Sequence, residues 1–316
     1  MGPRLPVAAP RTRRRMLNTC PFHTEGYVAG LIGVPELSSR GDMVVLRRPI
    51  PGTELHDGVG PWPYLWIGGE GDLKVLREEF RHLVTITAVT QPGYVPPSSA
   101  GNPALLKMHY VYDPQRPPVA LSRRARLRLS RCEERAEFRL VEGKAQRLQM
   151  TDIYARLLSR RGLEGSYVDF PRAHFESIAE LDCGVFFEVR DAQGIGAMAC
   201  GVEFRDMLQI LHMASTDEGL RWNASYLLMA GLQRYVGQHG LRLLTGGMPD
   251  AGTDGLKLFK ERWANHAEPV YLLRIVNDAQ AYAALCAGRA EDACYFPAYR
   301  APIATGGVPI PKESAA

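Results

Sequence analysis

Hydrophobic and polar positions along the 316 residues switch between two periods, and the switches mark the elements. Met43-Val44-Val45-Leu46 runs apolar into Arg47-Arg48-Pro49, a short strand over 43–49 that proline stops. Asp72 is placed to cap a helix over 72–82, and 83–89 is a β-branched strand closed by Gln91-Pro92-Gly93. Residues 105–112 alternate as another strand and end at Asp113-Pro114. Ser122 then starts an arginine-rich helix to about residue 134, and 137–141 is a short strand.

From Ala145 the spacing becomes helical. Leu148, Ile153, Leu157 and Leu158 belong to a helix that reaches Arg161 and stops at Gly162. Pro171 opens a further helix to about Leu181. Strands over 184–190, 196–204 and 208–215 follow, joined by Asp191-Ala192-Gln193-Gly194 and Arg205-Asp206-Met207. Connections this short make them an antiparallel meander. A long helix over 223–239 ends at Gly240, 241–245 is a buried strand, 254–263 a short helix, 270–276 a strand and 279–287 a final helix. Antiparallel strands, a central helix, then strand, helix and strand predict an α+β fold.

The length fits two domains. Residues 1–16, rich in Pro, Arg and Ala, read as a mobile tail, 17–143 as a first unit and 144–276 as a second. A hydrophobic fraction of 46% with 23% charged residues excludes disorder over most of the chain. No apolar run approaches a membrane span, and no apolar segment follows the basic N-terminus, so a cytoplasmic protein is expected, with no integral membrane part. The six cysteines form no CxxC pair and no short-range His/Cys cluster, which argues against structural zinc and a disulfide framework. The net charge of +4 belongs to the tail: its five arginines removed, 33 basic residues face 34 acidic ones. A nucleic-acid partner therefore needs a local basic patch, and no DNA partner is expected.

Three segments in the second half carry a resemblance. Asn223-Ala224-Ser225-Tyr226-Leu227-Leu228 opens the long helix, Leu243-Leu244-Thr245-Gly246-Gly247-Met248 runs a strand into glycines, and Gly255-Leu256-Lys257-Leu258-Phe259-Lys260 follows. In this order they resemble the Fem family of the GNAT acyltransferase superfamily, over about residues 145–276 and only loosely before them. A sister group of GNAT-like acyltransferases shares the signature. The resemblance implies two GNAT-like subdomains, each a mixed, mostly antiparallel sheet with helices on its faces. It also implies that the segment 277–316 packs back on the first. The activity implied is transfer of an aminoacyl group from aminoacyl-tRNA, as co-substrate and without a resident cofactor, to an amine of a small-molecule or peptide acceptor.

Such a transfer needs a neutral amine, a polarised ester carbonyl and a stabilised oxyanion, and no covalent enzyme intermediate. No GxSxG elbow or cysteine nucleophile motif is present. The resemblance places the family lysine at Lys260, whose charge would meet the oxyanion; Lys257, one turn earlier, can share its face. Both also read as solvated residues of an exposed helix. Asp113, at an Asp-Pro step like one in the Fem first subdomain, is a candidate to orient the amine or act as base, or else a turn residue.

The donor is read from Gly219-Leu220-Arg221-Trp222-Asn223-Ala224-Ser225-Tyr226. Coenzyme A users cradle a pyrophosphate here on glycines. Arg221 is kept, but Ala224 and Tyr226 stand where glycines are wanted, which favours aminoacyl-tRNA over an acyl-CoA donor. Asn223 serves equally as a helix N-cap. Arg124, Arg128 and Arg131 share one face of the arginine-rich helix, a candidate phosphate track or simply a solvated face. Trp62 and Tyr64, in Trp62-Pro63-Tyr64-Leu65-Trp66, are candidates to wall an acceptor pocket, with core packing as the alternative. His109 and His212 lie on predicted strands and are able to take a proton, without a motif behind either. A catalytically silent GNAT-like binding protein remains the third reading.

Overall fold

A computed structural model describes residues 19–101, 103–166, 168–247, 254–287 and 295–301; the expected basic tail lies outside them. Eleven strands form one sheet: β1 (Val34–Leu37), β2 (Val44–Pro49), β3 (His56–Val59), β4 (Thr85–Val89), β5 (Ala104–Tyr112), β6 (Glu137–Leu140), β7 (Gly184–Asp191), β8 (Gly194–Phe204), β9 (Met207–Ser215), β10 (Arg242–Gly247) and β11 (His266–Val276). Their order is β1-β2-β3-β4-β11-β5-β10-β9-β8-β7-β6. The α+β class and the mostly antiparallel layout hold: among these strands only β3/β4 and β9/β10 pair in parallel.

Each half repeats one plan. Three antiparallel strands (β1–β3; β7–β9) lead through a helix to a strand parallel to the third (β4; β10). The halves then exchange strands. β5, which follows β4 in the chain, pairs with β10, while β11, which follows β10, pairs with β4, and the two exchanged strands pair with each other. β6 pairs with β7, and the helix α3 (Arg123–Arg135) packs on α8 (Ala224–His239), so both attach to the second half although they precede residue 143.

Side-chain alternation sorts the core into two layers. Phe186, Met198, Cys200 and Val202 face α5 (Gln149–Arg161) and α6 (Arg172–Glu180); Val185, Phe187, Val189, Ala197 and Ala199 face α3 and α8. The predicted stops are present, with left-handed Gly162 after α5 and Gly240 after α8. Ser122 caps α3 by accepting from Ala125 N at 3.2 Å.

Some local expectations change. Asp72 is not the N-cap: that position before the helix α2 (Glu70–Glu78) is held by Gly69, and the Asp72 carboxylate, inside the first turn, accepts from Gly68 N at 2.6 Å. Strands β1 and β3 and the short helices α1 (Glu25–Val28) and α7 (Asp217–Arg221) carried too little periodicity to be read, and the helix expected from Ala145 is divided at Leu148 into α4 (Lys144–Arg147) and α5. Helices α9 (Asp254–Trp263), before β11, and α10 (Ala279–Cys286), after it, complete the set among the described residues. Beyond α10, Arg300 and Tyr299 dock on buried Asp57 of β3: Arg300 Nε lies 2.5 Å from one carboxylate oxygen and Tyr299 donates to it at 3.0 Å. No helix among the described residues is long and apolar enough to cross a membrane.

Candidate active site

The sheet opens at its middle. β9 and β10 pair only at Met207–Arg242, Leu208–Leu243 and Gln209–Leu244. Beyond that, β10 shifts register and meets β5 instead, Gly247 opposite His109, while β9 continues along β8. A wedge is left between Gln209 and Gly247.

Lys260 enters the wedge from α9. Its Nζ donates to Gly247 O at 2.8 Å, and its pKa is lowered to about 8 by burial and by the charge of Lys107. The stem of Lys107 lies against Gly247, where a Cβ would come 2.5 Å from its Cδ. Lys257 does not converge with Lys260. α9 turns Phe259 and Trp263 inward, and Lys257 stays exposed with Glu261 at 4.0 Å.

From the other layer Tyr64 fills the wedge. It is fully buried, donates to Gln209 Oε1 at 2.8 Å and lies 2.7 Å from His109 Nδ1. Burial, with Lys107 and Lys260 nearby, holds His109 well below the ordinary histidine range. Tyr64 is therefore part of the wedge, not a pocket wall. Trp62 does line a cavity, of about 390 Å³, with Arg48, Phe170 and Arg300, and it stacks on His212. Asp113 takes no place in either. Four residues beyond His109, about 13 Å by strand rise, its carboxylate accepts from Gln115 N at 2.9 Å and Arg116 Nε at 3.3 Å, which is the turn alternative.

The donor candidates do come together. Arg124, Arg128, Arg131, Arg221 and Asn223 line one cavity of about 530 Å³ with Leu127, Arg135 and Trp222, and no lining residue is acidic. α7 can sit this close to β8 because Gly219 and Gly196 meet back to back: a Cβ on Gly219 would lie 1.8 Å from Gly196 O. Asn223 holds the N-cap position of α8 but is left-handed (φ 64°) and makes no capping bond with its side chain, a conformation asparagine tolerates. Two of the arginines are already matched: Arg135 pairs with Asp191 and Glu218, and Arg221 with Glu218. Arg124, Arg128 and Arg131 have no carboxylate partner among the described residues.

Sequence reasoning missed the clamp between the two centres. Tyr226 of α8 receives Arg128 at 3.0 Å and Arg262 of α9 at 2.7 Å on its phenol oxygen, with both guanidinium groups over its ring. Tyr226 and Ala224 are buried in the layer beneath α3. Two cations sharing one neutral oxygen leave positive potential unmatched, whereas structural arginines normally meet a carboxylate. The signal available was Arg262, two residues past Lys260 on the helix that carries it.

The fold is of the GNAT type, doubled. No known sequence family matches this chain, and no curated protein sequence does. Among solved structures, FemX is similar with a TM-score of 0.54 at 10% identity, over 77% of this chain and 86% of that one. Lysyl-phosphatidylglycerol synthetase (L-PGS) from Bacillus licheniformis gives 0.52 at 13%, over 77% and 84%. The C-terminal domain of a protein described as a lysylphosphatidylglycerol synthetase of Agrobacterium fabrum gives 0.53 at 15%, over 80% and 86%. At these identities the likeness is one of fold.

Proposed function

We propose that the protein is an aminoacyltransferase that takes an aminoacyl group from aminoacyl-tRNA and makes an amide with an amine of a small-molecule or peptide acceptor. The observation that carries this reading is the cluster of guanidinium groups on α3 and α9, three of them free of carboxylates and two converging on the Tyr226 oxygen. A polyanion is the complementary ligand, and the acceptor end of a tRNA supplies successive phosphates. The names of the similar structures, FemX and lysyl-phosphatidylglycerol synthetase, agree in kind.

In the reaction, the acceptor nitrogen attacks the ester carbonyl carbon. The carbonyl pair moves onto oxygen as the C–N bond forms, and the ester C–O bond then breaks. Lys260, charged at neutral pH with a pKa of about 8, lends its ammonium to the oxyanion. The chemistry calls for no resident cofactor. Lys107, beside Gly247, adds to the same potential.

Binding of charged total tRNA and of acetyl-CoA, each at 50 and 200 mM salt, tests the reading. Three phosphate contacts give a logarithmic salt slope of about −2 to −2.7, so their share of the affinity falls roughly 20- to 40-fold over this range. Substituting Arg124, Arg128 and Arg131 by glutamine is expected to remove that share. Tight acetyl-CoA binding without tRNA affinity would put the acyl-CoA enzyme in its place.

A further inference from the structure

A chain of hydrogen bonds in the wedge fixes a proton position. It starts at Ile210 O, which can only accept. Gln209 Nε2 donates to it at 2.6 Å, so the side-chain amide of Gln209 is oriented and turns Oε1 the other way. Tyr64 has one hydroxyl proton and gives it to Gln209 Oε1 at 2.8 Å. The Tyr64 oxygen must then accept from its other neighbour, His109 Nδ1, 2.7 Å away. Nδ1 therefore carries the proton of the neutral imidazole, and Nε2 is left as a bare lone pair. Among the described residues no hydrogen bond reaches Nε2, and it is not one of the sealed, partnerless polar atoms of the core. His109 lies opposite Gly247, the residue whose carbonyl holds Lys260.

We propose that His109 is the proton acceptor of the transfer, with Tyr64 and Gln209 as positioning residues that hold it in the Nδ1–H tautomer. This rests on the aminoacyltransferase reading. As the acceptor nitrogen bonds to the ester carbonyl carbon, it becomes positive and gives one proton to His109 Nε2. When the ester C–O bond breaks, the same proton passes from Nε2 to the departing oxygen, which leaves as a hydroxyl, and His109 returns to its starting state. Burial, with the charges of Lys107 and Lys260 beside it, favours the neutral imidazole between turnovers, and the same environment favours passing the proton onward to the leaving oxygen.

Two measurements on the full chain test this. In long-range ¹⁵N–¹H spectra of imidazole-labelled protein, assigned by the signals lost in His109→Gln, Nδ1 is expected to be protonated and Nε2 bare from pH 6 to 9. Tyr64→Phe is expected to release the tautomer. An Nε2–H tautomer in the unaltered protein overturns the proposal whatever the activity. The second measurement follows transfer from charged total tRNA to hydroxylamine as amine probe, corrected for the uncatalysed reaction. His109→Ala is expected to lose about 10²-fold or more in rate with tRNA binding kept, and added imidazole to restore part of it. Tyr64→Phe is expected to lose about ten-fold or more in kcat at unchanged KM, as a wrong tautomer removes the base. Transfer by the unaltered protein with full activity in His109→Ala refutes the base and leaves the aminoacyltransferase reading standing. No transfer and no tRNA binding by the unaltered protein refutes both.

Discussion

Replacing Lys260 by methionine removes the ammonium from the wedge and keeps the length of the side chain. The lysine pKa falls from 10.5 to about 8, with burial as the larger cause and Lys107 as the smaller. That difference corresponds to about 3 kcal/mol of destabilisation by the charged form. Residual solvent contact trims it to about 2–3 kcal/mol. The sign follows from proton counts. Below pH 8 folded and unfolded chains both hold the proton, and the full cost applies. Between pH 8 and 10.5 the folded chain releases it while the unfolded chain keeps it, so stability rises with pH, and above 10.5 the rise ends. Losing the bond to Gly247 O costs the variant about 1 kcal/mol, but equally at every pH, so the slope and not the offset carries the test. Urea unfolding at pH 7 to 10.5 measures both proteins. The stability difference between Lys260→Met and the unaltered protein should shift by about 2–3 kcal/mol across that window. A constant difference refutes the claim that this amine is forced into a site that disfavours its charge. Under the proposed mechanism the same titration is expected to show as a loss of transfer above about pH 8, where Lys260 becomes neutral.

Gly196→Ala would bring a Cβ to 2.2 Å from Trp222 Cζ2; thermal unfolding should show a loss of about 1–3 kcal/mol, and tRNA binding should weaken because Trp222 lines the arginine cavity. Asp57→Ala strands Arg48 and Arg300 around a lost buried carboxylate, and chemical unfolding should show about 3–5 kcal/mol of destabilisation. His174, whose Nε2 lies 2.9 Å from that of His212, has its pKa lowered by burial to about 3. Its imidazole signals should not titrate between pH 7 and 4.5, and stability should fall on acidification from about pH 6.5 toward 3, where the unfolded chain alone takes up the proton.

How much was legible in the sequence depended on whether the signal was local. The meander β7–β9, the α8 helix with its glycine stop and the serine cap of α3 are written within a few residues of each element. The arginine face of α3 was also visible, because helical spacing alone puts Arg124, Arg128 and Arg131 together. Strands β1 and β3 were not, since four-residue segments with exposed or mixed positions show no period. The wedge was invisible for another reason: Tyr64, His109, Gln209 and Lys260 come from four distant segments. Only the register slip of β10 brings His109 opposite Gly247. Lys257 misled because spacing on a helix says which residues share a face, while Phe259 and Trp263 decide which part of that face turns inward.

The exchanged strands also set an order of events during synthesis. β4 and β5 are complete once residue 112 has been made, yet neither finds its shared neighbour until β11, ending at Val276, has followed. At about 5–20 residues per second, ribosomal synthesis leaves that slot in the sheet open for on the order of ten seconds or more. During this time two strand edges in the middle of the future sheet face solvent, and the wedge with His109 has no second wall. The first half of this chain is therefore not a protein in waiting but one side of a seam, which β11, the last strand among the described residues, closes only after β10 and α9 have brought Gly247 and Lys260 to the wedge.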